Sequence, residues 1–219
     1  MIERLAPGSA CAEMFSDAPD SAMFPVEAAA VAGAVAERRR EFATVRHCAR
    51  EALRRIGASP APILPDADRV PRWPAGVVSS MTHCPGYRAA AVARAGELRG
   101  LGIDAEPHAA IPDAARELVL RDEERARMLP LADAYPDLHW DRILFCAKEA
   151  VYKAWFPLTR RWLDFADVSA TVNVDGSFHA RLRVPAPRLE GAELNGFSGR
   201  WMVGRGLILA ATSVNREGS

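Results

Sequence analysis

The residues of this chain best placed to do chemistry are two carboxylates on one short stretch and a helix that carries acids and lysines together. Between Leu98 and Glu106, the apolar residues Leu101, Ile103 and Ala105 alternate with Gly102, Asp104 and Glu106. A strand repeats every two residues, so both acids fall on one face. Carboxylates side by side repel and destabilise a strand unless positive charge lies between them. A hard divalent cation supplies that charge. Mg²⁺ takes one or a few carboxylates and completes its octahedron with water and phosphate oxygens, which suits so sparse a set of acids. The plainer alternative is a solvent-facing strand whose acids pair with Arg or Lys.

The helix from Trp140 to Phe156 carries the second set. Ile143, Ala147, Val151, Ala154 and Trp155 form an apolar stripe, while Phe145, Glu149, Tyr152, Lys153 and Phe156 form another that mixes aromatics with charge. A helix apolar or aromatic on two sides is buried, and burying Glu149 with Lys148 or Lys153 is costly without partners. The local alternative is an intrahelical Glu149–Lys153 pair at i,i+4, worth about 0.2 to 0.5 kcal/mol. Arg38, Arg39, Arg40, Arg46, Arg50, Arg54 and Arg55 crowd an earlier helix. Most read as a solvated face balanced by Glu37, Glu41 and Glu51, with room for one or two to turn inward onto a phosphate, which a planar guanidinium binds in bidentate fashion. His83 stands at a strand end beside a turn, where functional residues gather, although a hydrogen-bonded turn histidine explains it equally.

The elements that must position these groups are legible from periodicity. Apolar steps of three and four from Val26 to Ile56 predict one long amphipathic helix stopped at Gly57, and the prolines at 60, 62, 65, 71 and 74 predict a loop after it. Val77 to Met81 and Ala89 to Ala93 read as a hairpin around His83-Cys84-Pro85-Gly86, followed by the strand Leu98 to Glu106. A charge-dense helix from about Asp113 to Met128 precedes the helix at Trp140 to Phe156. Val168 to Val174 and Phe178 to Val184 alternate about Asp175-Gly176, and Trp201 to Val203 pairs with Leu207 to Val214 across Arg205-Gly206. Each half therefore holds a long helix and antiparallel strands, an α+β fold of two similar lobes rather than an alternating parallel fold. The expected division is an N-terminal extension over 1–25, one lobe over 26–106 and a second over 107–219, packed as one unit.

Composition bounds the function. The 219 residues, 49% hydrophobic, are enough for a packed core, and 28 basic residues against 28 acidic ones remove the bias that non-specific nucleic-acid or membrane-surface binding needs. Any bound anion must be held locally. Cys11, Cys48, Cys84 and Cys146 lack metal-ligand spacing and do not resemble a disulfide framework. No apolar run reaches the roughly 18 residues of a membrane span, and the start of the chain lacks the order of a signal peptide, so a soluble protein of the reducing cytoplasm is expected.

The strings Gly102-Ile-Asp-Ala-Glu106 and Phe145-Cys-Ala-Lys-Glu-Ala-Val-Tyr-Lys153, in this order, resemble the two signature motifs of the Sfp-type 4'-phosphopantetheinyl transferases. The segments Val45 to Arg50, Thr82 to Arg88 and His139 to Thr159 are similar to the actinobacterial, PptT-like branch of that family, and the likeness runs from about Val26 to the C-terminus. The resemblance implies a pseudo-twofold α+β fold with coenzyme A between the lobes. It implies that Asp104, Glu106 and Glu149 hold Mg²⁺, or Mn²⁺, against the pyrophosphate, that Lys148 and Lys153 neutralise the phosphates, and that Arg38, Arg46 and His83 lie at the 3'-phosphate of the adenosine. The implied reaction moves phosphopantetheine from coenzyme A to a serine of an acyl or peptidyl carrier protein, releasing 3',5'-ADP, with Glu149 as the base that takes the serine proton, directly or through a metal-bound water.

One position departs from the branch pattern: Pro65 stands where a lysine is common after Pro-Ile-Leu, and Arg69 or Arg72 is the expected substitute. Carriers of this type present an acidic helix around their serine, and Arg160, Arg161, Trp162 and Leu163 are a candidate docking patch, with a core tryptophan between solvated arginines as the alternative. The partners implied are carrier domains of polyketide, non-ribosomal peptide or fatty-acid synthases, and a monomer is expected because two lobes complete the cleft. Two other readings use the same residues: a metal-dependent phosphohydrolase of coenzyme A or nucleotides, and a non-catalytic coenzyme A-binding module.

Overall fold

In a computed structural model that describes residues 1–19, 23–189 and 191–216, the chain forms two large antiparallel sheets, each covered by one long helix, and a short two-stranded ladder. The first half contains β1 (Ala10–Met14), α1 (Pro25–Ala30), α2 (Ala36–Arg55), β2 (Val77–Cys84) and β3 (Tyr87–Arg94). Strand β3 is central, with β1 and β2 antiparallel on either side, and Ala90 and Val92 face Cys48, Ala49, Ala52 and Leu53 of α2. Small side chains on both surfaces let the helix lie close to the sheet.

The second half contains β4 (Leu98–Pro107), α3 (Asp113–Val119), α4 (Asp122–Ala134), α5 (Trp140–Thr159), β5 (Val168–Val172), β6 (Ser177–Leu182), a short β7–β8 ladder (Arg188–Leu189 with Ala192–Glu193), β9 (Gly196–Gly204) and β10 (Leu207–Asn215). Its sheet runs β4-β10-β9-β6-β5. Ile143, Ala147, Val151 and Trp155 of α5, the predicted apolar stripe, share a core with Phe178, Ala180, Trp201 and Ile208. A further core packs Leu101, Ile103 and Ala105 of β4 with Leu209 and Ala211 of β10 and with Tyr87, Ala89 and Ala91 of β3.

The sheets meet where β2 runs beside β4. Side-chain hydroxyls take the place of a backbone ladder there: Ser80 Oγ accepts the Ile103 N–H at 3.0 Å and Thr82 Oγ1 accepts the Ala105 N–H at 3.1 Å. On the α5 side of β4, a Cβ added to Gly102 would lie 1.9 Å from the Ala150 carbonyl oxygen. Glycine is thus required for the helix backbone to rest on the strand, and this close approach brings the second helical stripe up to Asp104 and Glu106.

Several expectations need correction. The helix expected over Val26 to Ile56 is broken: α1 ends at Ala30 and α2 starts at Ala36, after Val35 takes an extended conformation. A helix continued through Gly33 would be about 1 kcal/mol less favourable than with alanine there, and the break lets Glu27 reach Arg50 of α2. The helix expected over Asp113 to Met128 splits likewise at Leu120 and Arg121, where Glu124 turns back onto the Arg121 N–H. Helix α5 continues past Phe156 to Thr159. Residues before 26, expected as an extension, supply β1 and a 3₁₀ turn at Ile2–Arg4 whose Ile2 is fully buried. Strand β4, placed in the first lobe by a boundary at 106, is hydrogen-bonded to β10 in the second sheet, because its apolar residues match those of β10.

Candidate active site

Five charged side chains converge at the seam between the sheets. Asp104 is buried; its Oδ1 accepts from Lys153 Nζ at 2.6 Å and from the Thr82 hydroxyl at 3.2 Å, while its Oδ2 is buried without a hydrogen-bond partner. Lys153 also donates to Thr82 Oγ1 at 3.3 Å. Burial pulls the Lys153 pKa down, but Asp104 and Glu149 outweigh it and hold the ammonium charged. Glu106 pairs with Arg142 at 2.8 Å; burial and the Asp104 charge push its pKa up, against Arg142. Glu149 feels the same acids: burial first, then Asp104, with Lys153 opposing, raise it to about 7. The acids of the seam therefore do pair with Lys and Arg, as the plainer alternative held, but across a buried seam rather than on a solvent-facing strand. Lys153 turns to Asp104 rather than making the local pair with Glu149.

The Lys148 expectation is corrected. Its Nζ donates to Glu124 at 2.8 Å, to the Val119 carbonyl at 2.8 Å and to the Phe165 carbonyl at 3.0 Å, which uses all three ammonium donors inside the second lobe. One residue is about 100° of helix, so Lys148 cannot share the β4-facing side with Lys153 and Glu149, which are four apart. Burial lowers its pKa, and Glu124 opposes that.

Arg38, Arg46 and His83, scattered in sequence, line one pocket of about 400 Å³ with Glu41, Arg69 and Pro65. Arg38 Nη1 lies 2.9 Å from His83 Nε2; an arginine can only donate, so the imidazole accepts there as the neutral Nδ1–H tautomer. Burial lowers the His83 pKa, and Arg38 and Lys153 add to this against Glu41. Arg46 is less available than expected, with Nε on the Ile63 carbonyl at 2.7 Å and its guanidinium against the Phe42 ring. Burial drops its pKa to about 9.

Arg69 and Met81 also line a larger trough of about 690 Å³, with Arg72, Tyr152 and Lys153 among its other walls. Arg69 sits at φ 65°, a conformation uncommon outside glycine, in a loop held by Asp66 Oδ1, which accepts the Asp68 and Val70 N–H groups. Tyr152 and Glu149 border a third cavity of about 450 Å³ with Leu118, Trp162 and Phe165. Of the expected docking patch, Trp162 is 72% exposed, whereas Leu163 is buried and Arg160 is tied to Asp66 at 2.6 Å. The core-tryptophan alternative is thereby excluded.

Thr82 and Arg142 are seam residues that sequence reasoning missed. Arg142 lies seven residues before Glu149 and so on the same helical stripe, a signal that was available. Thr82 carries no signal of its own, since only the apposition of β2 and β4 gives its hydroxyl three partners.

Two lobes, with acids and a lysine meeting at their seam beside a basic trough, define a class that comparison with known sequences identifies. Residues 26–93 match the 4'-phosphopantetheinyl transferase N-terminal domain and residues 100–199 the 4'-phosphopantetheinyl transferase superfamily. The chain is 52% identical over 219 residues to 4'-phosphopantetheinyl transferase Svp of Streptomyces mobaraensis, covering 98% of this chain and 89% of that protein. It is 50% identical over 210 residues to 4'-phosphopantetheinyl transferase PptT of Mycobacterium tuberculosis (strain ATCC 25618 / H37Rv), covering 92% and 90%. With 4'-phosphopantetheinyl transferase Npt of Nocardia iowensis the identity is 44% over 221 residues, covering 96% and 98%. The chain belongs to the 4'-phosphopantetheinyl transferase superfamily.

Proposed function

We propose that this enzyme transfers 4'-phosphopantetheine from coenzyme A to a serine of an apo carrier protein, with the seam acids and Lys153 as its reaction centre. The observation that carries the reading is the convergence of Asp104, Glu106, Glu149 and Lys153 at the seam, where Lys153 also lines the trough that shares Arg69, Pro71 and Met81 with the Arg38–His83 pocket. In that arrangement the adenosine 3'-phosphate lies at Arg38, His83 and Arg46, and Arg69 supplies the cation that Pro65 does not. The pyrophosphate lies toward Lys153.

The site suits Mg²⁺. Among the described residues no three His, Cys, Asp or Glu side chains form a ready-made cation cage. An ion that relies on a few carboxylates and on substrate phosphate needs none, and the buried, unpartnered Asp104 Oδ2 is an acceptor in want of a positive charge. Asp104, Glu106 and Glu149 would hold the ion, which when bound spreads the charge that builds on the pyrophosphate oxygens.

The serine Oγ attacks the β-phosphorus, the bond from that phosphorus to the bridging oxygen breaks, and 3',5'-ADP leaves with that oxygen. Glu149 takes the serine proton, directly or through a water. Lys153, charged and anchored through Asp104 and Thr82, orients the phosphate and stabilises its developing charge. The exposed Trp162 and Leu118 at the rim of the cavity beside Glu149 form the surface on which the carrier seats its serine. Carriers of polyketide, non-ribosomal peptide or fatty-acid synthases are the partners of this reading, in the cytoplasm, with a monomeric enzyme. The buried, free cysteines fit a reducing compartment.

Mass spectrometry of an apo carrier protein incubated with this enzyme, coenzyme A and Mg²⁺ tests the proposal. A gain of about 340 Da, one phosphopantetheinyl group, that is lost with EDTA and with a serine-to-alanine carrier is the expected result. Release of 3',5'-ADP without modified carrier would instead identify a hydrolase, and coenzyme A binding without turnover would identify a binding module.

A further inference from the structure

Arg142 stands on the first turn of α5, and the reaction described above gives it no part. All three of its guanidinium nitrogens are engaged: Nη1 donates to Glu106 Oε2 at 2.8 Å, Nε to the Ala109 carbonyl at 3.1 Å and Nη2 to the Ala110 carbonyl at 3.0 Å. The side chain is largely buried and its charge lies 5.8 Å from the centre of the Phe145 ring. The adjacent Asp141 accepts the Ile111 N–H at 3.3 Å and pairs with Arg116 at 3.1 Å. The first turn of α5 therefore grips the chain from Glu106 to Ile111 as it leaves β4.

A guanidinium presents its donors in one rigid plane. Two carbonyls that set the plane also set where the third donor points, and that donor holds the Glu106 carboxylate. Glu106 is the last acid of its strand, one residue before β4 ends at Pro107. Without a tether its side chain is free to turn toward water and away from the like charge of Asp104.

We propose that Arg142 is the positioning residue for Glu106, fixing its carboxylate beside Asp104 so that both acids face a bound divalent cation together. The inference rests on the reading of Asp104, Glu106 and Glu149 as cation ligands. Arg142 then complements Lys153 across the seam: each cation holds one oxygen of one acid, Lys153 on Asp104 Oδ1 and Arg142 on Glu106 Oε2. Ligating carboxylates are commonly oriented by such outer hydrogen bonds, and losing one weakens metal binding about 10- to 100-fold.

The test is Mn²⁺ binding in the presence of coenzyme A, followed by electron paramagnetic resonance, for the wild type, Arg142→Ala, Arg142→Lys, Glu106→Gln and the double variant Arg142→Ala/Glu106→Gln. Arg142→Ala should weaken Mn²⁺ binding about tenfold or more. Arg142→Lys should recover little of it, since an ammonium cannot reproduce the fork that reaches both carbonyls and the carboxylate. In the Glu106→Gln background, Arg142→Ala should add less than a further twofold, which separates positioning of Glu106 from a general loss of structure. Wild-type affinity in Arg142→Lys, or an equal loss in both backgrounds, overturns the proposal. Wild-type affinity in Glu106→Gln would overturn the ligand reading of Glu106 itself, and the positioning role with it. Arg142→Lys keeps the test decisive if Arg142→Ala does not fold.

Discussion

Each lobe contains a buried acid clamped by a cation from its long helix, and the seam contains another such set, yet the two kinds of cluster are built to opposite specifications. In the first lobe Glu27 accepts from Arg50 at 2.9 Å, from the Ile63 N–H at 2.8 Å and from the Phe24 N–H at 2.9 Å. In the second, Glu124 accepts from Lys148 at 2.8 Å, from the Ala170 N–H at 2.7 Å and from the Arg121 N–H at 2.9 Å. Each acid accepts the N-cap N–H of its own helix and ties that helix, a long helix and a further segment together. At the seam the counterpart set is incomplete, with the Asp104 Oδ2 unpartnered and the Glu149 carboxyl lifted to about 7. Saturated clusters of this kind specify a fold, whereas clusters left short of partners keep capacity for a ligand.

Lys148 and Lys153 put that contrast on a single helix and offer the strongest way to break it. Lys148→Met leaves Glu124 buried without its counter-charge and should destabilise the protein by about 3–5 kcal/mol in urea unfolding, with turnover per folded molecule kept. A stable Lys148→Met with no turnover would move Lys148 into the reaction centre. Lys153→Met should act the other way, lowering kcat/KM for carrier modification by about 10²–10³ while shifting the unfolding midpoint less than Lys148→Met does.

Glu149 sharpens the comparison through pH. Its folded pKa, about 7, lies above the ordinary carboxyl value of 4.5, so the folded state holds a proton that the unfolded chain has lost between those values. Stability from this group is full below 4.5, falls as pH rises to about 7 and is level beyond. In metal-free protein, Glu149→Gln should therefore raise the melting temperature at pH 8, with the gain shrinking toward pH 5. An ordinary surface glutamate would show neither. The smallest effect belongs to the exposed Glu51–Arg54 pair of α2, where Arg54→Ala should change stability by less than about 0.5 kcal/mol and leave turnover alone.

Much of the fold was legible because it rests on local periodicity. The alternation over Leu98 to Glu106 and the stripes of the helix beginning at Trp140 place Asp104, Glu106, Glu149 and Lys153 on the correct faces before any contact is known. The breaks at 31–35 and at 120–121 were not read from apolar spacing, although Gly33 and the Glu124–Arg121 contact are local; the bonds that hold each break in the fold, Glu27 to Arg50 and Glu124 to Lys148, lie outside any short window. For the same reason Ala10–Met14 did not read as a strand: its pairing with β3 spans most of the first half of the chain.

The sequence by itself determined which residues could react and on which side of which element each would stand, because strand and helix periods are properties of the backbone alone. Tertiary structure decided which of two similar lysines meets the acids, that Arg142 and Thr82 belong beside them, and that Arg38, Arg46 and His83 share a pocket. Those outcomes depend on how closely α5 rests on Gly102 and on how β2 lies against β4. Both are fixed by packing between segments far apart in the chain.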